Sequence, residues 1–273
     1  MSEKLFHVAF QYLEQEPRAA ARLLEIIPAQ EMLPFLSNTP ALTVTKVLQQ
    51  MQPEFAAGVI SAAPVQDAQL WLQSLSNRQL CAILRRCDND LQHALLDGLT
   101  LKKKTACQLL LSFREDMVGA IVETDIMVFP LDMTVEETLK RLKQREYSEQ
   151  RIAFAVDQAR KLSGEIVVPQ LLRATKNSLI ADHVKPCDQT LSGRSLIRAA
   201  ISNPIWHTQD YAAVINRHRE IIGLLWFNQV RQYLSSPLDR ESQPALHHPA
   251  LDMLHAHGDS IRSLLDTLLK LAS

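Results

Sequence analysis

Four histidines fall within residues 247–257 (His247, His248, His255 and His257), and four cysteines stand at Cys81, Cys87, Cys107 and Cys187. Imidazole and thiolate are the side chains that take zinc and similar metals, at short fixed spacings on one turn or helix face. No C-x-x-C spacing occurs, and Pro249 and Gly258 break any helical face that could gather the histidines. The histidines therefore read as solvent-exposed. The cysteines read as free thiols in a reducing compartment, three of them, Cys81, Cys87 and Cys107, at positions that look helical and partly buried, rather than as metal or redox groups. There is no G-x-x-x-x-G-K-[ST] phosphate loop, no G-x-S-x-G elbow and no H-E-x-x-H, and the seven glycines are scattered. The expectation is a protein that is not an enzyme.

Charge and hydropathy narrow the class further. The formal net charge is -1 over 273 residues, with no basic platform of the kind that phosphate contacts to nucleic acid require. Lys102–Lys104, the one lysine run, reads as the solvated face of a helix. The first residues show no basic stretch leading into an apolar run, and the longest apolar run, Ile221–Phe227, is far short of the roughly 20 residues a membrane helix needs. A cytoplasmic protein with no direct membrane insertion is expected. The 47% hydrophobic and 22% charged shares are those of an ordinary globular chain, and the length suggests two domains.

The elements that must carry any function show themselves first as a ladder. Leu24, Leu48, Leu72 and Leu96 recur every 24 residues, with Leu23, Val47, Trp71 and Leu95 one place upstream and Leu36, Ile60 and Leu84 downstream. Pro40 and Pro64 stand where Asp88 stands in the third copy. Such a period marks a stack of two-helix units, none of which can bury its apolar face alone. Thr43–Met51 reads as one helix, and Gln52-Pro53-Glu54 opens the next. Ser76-Asn77-Arg78 reads as a capping turn. Leu5, Val8, Ala9 and Tyr12 form a leading amphipathic helix, and Lys104 and Gln108 give the last copy a polar face.

After about Arg114 the periodicity turns mixed. Ile126–Phe129 reads as a strand, and Thr134 with Glu137 forms a capping box for a helix. Strands follow at Ile152–Val156 and Glu165–Val168, then a helix at Gln170–Ala174. A second round reads as helix Ser192–Ser202, strand Tyr211–Ile215, strand Ile221–Trp226 and helix Asn228–Leu234. Beyond a polar linker, Leu251, Leu254, Ile261, Leu264, Leu265, Leu268 and Leu269 give a C-terminal apolar stripe at helical spacing.

The 24-residue repeat, followed by E-D-M-V-G-A-I-V-E-T-D at Glu115–Asp125 and D-M-T-V-E-E-T-L at Asp132–Leu139, resembles the cytosolic part of MgtE-type magnesium channels. The resemblance implies an α+β multidomain chain: an all-α helical-repeat superhelix at 1–113, a tandem CBS (α/β) pair at 114–236, and a linker with a C-terminal helix at 237–273. Within the pair it implies a first unit at 118–186 and a degenerate second unit at 187–236. It also implies a regulatory or sensor module, homodimeric through the CBS pair, that responds to magnesium and in some members to ATP or AMP. For the metal, the acidic residues at the junction, Glu115, Asp116, Glu123 and Asp125, supply the hard oxygen ligands magnesium takes; a solvated linker is the other reading of them.

Nucleotide-binding CBS units place Ser or Thr, then Asp three residues on, after the glycine of the last strand. Aligned on Gly164 and Gly223, this chain has Val167 and Gln170 in the first unit and Trp226 and Gln229 in the second. Neither Val nor Trp replaces a hydroxyl. The alternative to a sensor is a ligand-free scaffold that binds an unknown protein partner on the helical-repeat surface.

Overall fold

In the computed structural model, which describes residues 3–144 and 152–234, the chain falls into two compact units, the first running to Cys107 and the second starting at Gln108. The C-terminal stripe, its linker and the four clustered histidines lie outside the described residues.

The first unit is all helix. A leading α1 (Glu3–Gln15) is followed by α2 (Pro17–Leu24), α3 (Ala29–Ser37), α4 (Ala41–Leu48), α5 (Pro53–Ala62), α6 (Val65–Leu72), α7 (Asn77–Leu84), α8 (Asn89–Asp97) and α9 (Leu101–Leu111). The starts of α2, α4, α6 and α8 are 24 residues apart, as are those of α3, α5, α7 and α9. Each helix packs on the one two places along, α2 on α4 on α6 on α8 and α3 on α5 on α7, so the repeat builds two parallel layers. Leu24, Leu48, Leu72 and Leu96 are all buried between them, with Leu36, Ile60 and Leu84.

Local chemistry sets the helix starts. Pro40 and Pro64 are the N-caps of α4 and α6, and Asp88, at the same place in the next copy, accepts from the Leu91 amide at 2.8 Å. The helix expected over Thr43–Met51 instead begins at Ala41, directly after that proline, and stops at Leu48. Pro53 occupies the first turn of α5, and Ser76 with Gln79 forms a full capping box on α7. Side chains staple neighbouring copies: the Thr45 hydroxyl donates to the Trp71 carbonyl at 2.6 Å, and Gln69, one repeat on, donates to the Ala94 carbonyl at 3.0 Å. The lysine run is only partly a solvated face. Lys103 turns inward, and its ammonium donates to the carbonyls of Gln73 and Leu75, past the end of α6, at 2.5 and 2.6 Å.

The second unit holds two small mixed sheets. The first contains β1 (Met127–Pro130), β2 (Ala153–Val156), β3 (Leu162–Ile166) and β4 (Val184–Pro186) in that order, with α10 (Val135–Gln144) between β1 and β2 and α11 (Val168–Leu171) after β3. The second contains β5 (Leu191–Ser192), β6 (Tyr211–Ile215) and β7 (Ile221–Trp226), with α12 (Ile197–Ala200) after β5 and α13 (Phe227–Leu234) after β7. In each, the first two strands run parallel and the next is antiparallel. The Thr134–Glu137 capping box stands as expected, with Oε2 of Glu137 accepting from the Thr134 amide at 3.1 Å.

Three expectations fail here. The strand placed at Glu165–Val168 runs from Leu162 to Ile166, because Gly164 pairs with both β2 and β4 and Ser163 is taken up in a bulge against β2 rather than forming a turn. Pro169 then sits inside α11, which covers Val168–Leu171 rather than Gln170–Ala174. The helix expected at Ser192–Ser202 is a two-residue strand followed by a four-residue helix.

Candidate functional site: the cleft between the two sheets

The two halves of the second unit are built alike around their hairpin turns. In the first turn the Asp157 amide donates to the Lys161 carbonyl at 3.0 Å, and the Asp157 carboxylate accepts from the Lys161 amide at 2.9 Å. In the second, Asn216 does the same with Glu220, at 2.9 and 3.0 Å. Each turn drives one arginine into the left-handed region, Arg160 at φ 62 and Arg219 at φ 64. The turns then meet. Lys161 and Glu220 pair as an antiparallel bridge, and the Leu162 amide donates to the Arg219 carbonyl at 2.9 Å. Opposite charges across such a bridge favour the pairing.

Each half also borrows an edge from the stretch that precedes the other. β3 pairs with β4, which leads into the second half, and β7 pairs with Glu123, which leads into the first. Between the sheets lies a shared apolar cluster of Phe154, Ala213 and Leu224, with Tyr211 and Trp226 packed against it. The Tyr211 hydroxyl donates to Glu165 Oε1 at 2.7 Å, and the Trp226 ring meets Tyr211 edge-on with centroids 5.7 Å apart. Burial, then the Glu165 carboxylate, pushes the Tyr211 phenol well above its ordinary range, so it stays a protonated donor.

The residues at the ribose-anchor places do other work. Trp226 is committed to this cluster, and Gln229 Oε1 accepts from the Trp226 amide at 3.2 Å, closing the first turn of α13. Val167 is the N-cap of α11 without a side-chain bond, and Gln170 is exposed one turn on. At these four places the side chains offer neither a hydroxyl nor a carboxylate. A cavity of about 450 Å³ opens at the opposite end of β2, lined by Pro130, Leu131, Asp132, Val156, Asp157 and Arg160. Glu165, Tyr211 and Cys187, which meet in the cleft, lie too far apart in sequence for any spacing to have grouped them.

The acidic residues fall in two places. Glu115 is exposed on the turn after α9, and the Asp116 carboxylate pairs with the Arg114 guanidinium. Glu123 and Asp125 lie further on, where Glu123 Oε1 accepts from the Asp125 amide at 3.2 Å. The whole stretch is bonded along the second half. The Ile197 amide donates to the Asp116 carbonyl at 2.9 Å, and the Val118 and Gly119 amides donate to the Ser195 and Gly193 carbonyls at 2.8 Å. Glu123 and Leu224 exchange both backbone bonds, at 2.8 and 2.9 Å. Among the described residues, no three of His, Cys, Asp and Glu come together as a ready metal group.

Comparison with known proteins fits this architecture. The family described as the MgtE intracellular N domain matches residues 15–116. No curated protein matches the chain. The crystal structure of the cytosolic domain of the Mg2+ channel MgtE in complex with ATP aligns at a TM-score of 0.69 and 19% identity, covering 82% of this chain and 93% of that one. The crystal structure of the soluble part of a magnesium transporter aligns at 0.56 and 15%, covering 89% and 100%. Among the described residues no helix is long and apolar enough to cross a membrane. A helical-repeat unit that carries the family match over residues 15–116, followed by two interlocked β-α-β-β-α halves, gives this chain the fold of the cytosolic part of MgtE.

Proposed function

We propose that the chain is a non-catalytic, cytoplasmic regulatory module that senses magnesium on the acidic stretch that opens its second unit. The observation that carries this reading is the anchoring of residues 116–123 along the second CBS half, which fixes the backbone beneath Glu115, Asp116 and Glu123 instead of leaving a loose linker. Magnesium is held through one or two carboxylates and keeps several of its waters. Adjacent Glu115 and Asp116 suit that demand, with the Asp116 side chain 45% exposed and Arg114 as the charge a cation would displace. On this reading residues 1–113 are the N domain, 114–236 the CBS pair and 237–273 a connecting segment.

Magnesium at ten times its Kd is expected to stabilise the protein by about 1.4 kcal/mol, a rise in melting temperature of about 2–4 °C. ATP or AMP at constant free magnesium is expected to add nothing, because both ribose anchors are missing. A melting curve unmoved by millimolar magnesium would leave the second reading, a ligand-free scaffold. That reading draws on Leu42, Leu70 and Leu101, large apolar side chains exposed on the repeat and open to a protein partner.

We also propose that the CBS pair associates side by side as a homodimer. Light scattering is then expected to give about twice 30.8 kDa, and a species at 30.8 kDa alone contradicts it.

A further inference from the structure

Although their spacing alone points to inert burial, the repeat brings two of the cysteines together. Cys81 on α7 and Cys107 on α9 are both fully buried, Cys81 Sγ lies 3.6 Å from the Cys107 carbonyl oxygen, and its single S–H can serve either that carbonyl or the neighbouring Cys107 sulfur. Lys103, one turn before Cys107 on the same helix face, holds its ammonium on the Gln73 and Leu75 carbonyls, near enough for its charge to act on both sulfurs. The Cys81 hydrogen bond, aided by Lys103, pulls the Cys107 thiol down against burial; the same bond, then burial, pushes Cys81 up. Of the two, Cys107 is the thiol whose ionised form its neighbours favour.

We propose that Cys81 and Cys107 are a hydroperoxide-responsive thiol pair that closes a reversible disulfide between α7 and α9. The Cys107 thiolate attacks the outer peroxide oxygen, an S–O bond forms as the O–O bond breaks, and the leaving oxygen departs as water or alcohol after taking a proton. Cys81 sulfur then attacks the Cys107 sulfenic sulfur. An S–S bond replaces the S–O bond, and the hydroxyl leaves as water with the Cys81 proton. Two electrons pass from the sulfurs to the peroxide, and a dithiol returns them. A disulfide needs its Cα atoms within about 7 Å, and Cys81 Sγ already touches the Cys107 backbone. Peroxide enters by local opening of α9, the last helix of the stack.

The test oxidises the full chain with hydrogen peroxide, blocks remaining thiols with an alkylating agent and maps the unreduced digest by mass spectrometry. The expected result is a loss of two of the four thiols, a linked peptide pair containing Cys81 and Cys107, and recovery of both thiols with dithiothreitol. Cys81→Ser should abolish the linked pair and leave Cys107 to oxidise further. Four alkylatable thiols after peroxide, sulfinic acid at Cys107 without a cross-link in the unsubstituted chain, or a cross-link through Cys87 or Cys187 instead would each overturn the proposal.

Discussion

Replacing Gly223 or Gly164 with alanine is expected to cost the CBS pair about 3 kcal/mol each, the upper end of what overpacking a closed site produces. The reason is close approach of backbone, not loop flexibility. A Cβ on Gly223 would overlap the Glu123 carbonyl oxygen and crowd Val122, and one on Gly164 would overlap the Lys185 carbonyl oxygen and the Val184 side chain. Both obstacles are the strand edge borrowed from the other half, so relief requires parting β7 from Glu123 or β3 from β4. Denaturant unfolding followed by tryptophan fluorescence reads this directly, because Trp206 and Trp226 lie in the second unit. Gly58, mid-helix on the exposed side of α5 with open space around it, is the control: alanine there should stabilise by about 0.5–1 kcal/mol. An unchanged midpoint for Gly223→Ala would mean the two halves are not interlocked as described.

Leu72→Ala is the second large effect, expected to destabilise the helical unit by about 3 kcal/mol through lost burial and the cavity left behind. Leu72 is fully buried on α6, the helix that packs on both α4 and α8. In a stack where each copy contacts only its neighbours, a gap in the middle weakens the interfaces on both sides. Leu70, on the same helix but 54% exposed, should tolerate alanine within about 0.5 kcal/mol. Thermal unfolding followed by far-ultraviolet circular dichroism distinguishes them. Equal losses at the two positions would count against the stacked-layer reading.

What could be read from the chain alone depended on how far apart the cooperating residues lie. The 24-residue ladder was plain because every copy repeats the same burial, and Leu48, Leu72 and Leu96 occupy equivalent buried places. Caps were legible for the same local reason: Thr134 with Glu137, and Ser76 with Gln79, satisfy exposed amides within one turn. β6 and β7 were found at their true bounds because Tyr211–Ile215 and Ile221–Trp226 are continuous apolar runs. β4 and β5 were missed because two or three residues carry no period, and pairing partners far along the chain define them. The site was hardest to read. That Trp226 lacks a hydroxyl is visible in the sequence, but its use against Tyr211, and the Tyr211–Glu165 bond, depend on contacts across the two halves. Lys103 misled in the opposite direction, since a lysine run gives no sign that its middle member turns inward to backbone carbonyls.

Calorimetric titration of the unsubstituted chain beside a Glu115→Gln, Asp116→Asn double variant tests the proposed magnesium site most directly. Both positions are surface side chains, so the variant should fold and melt like the parent in metal-free buffer. Saturable magnesium binding in the parent, weakened at least tenfold in the variant, is the predicted result; a parent that takes up no magnesium at millimolar concentration, or a variant that binds equally well, would contradict it.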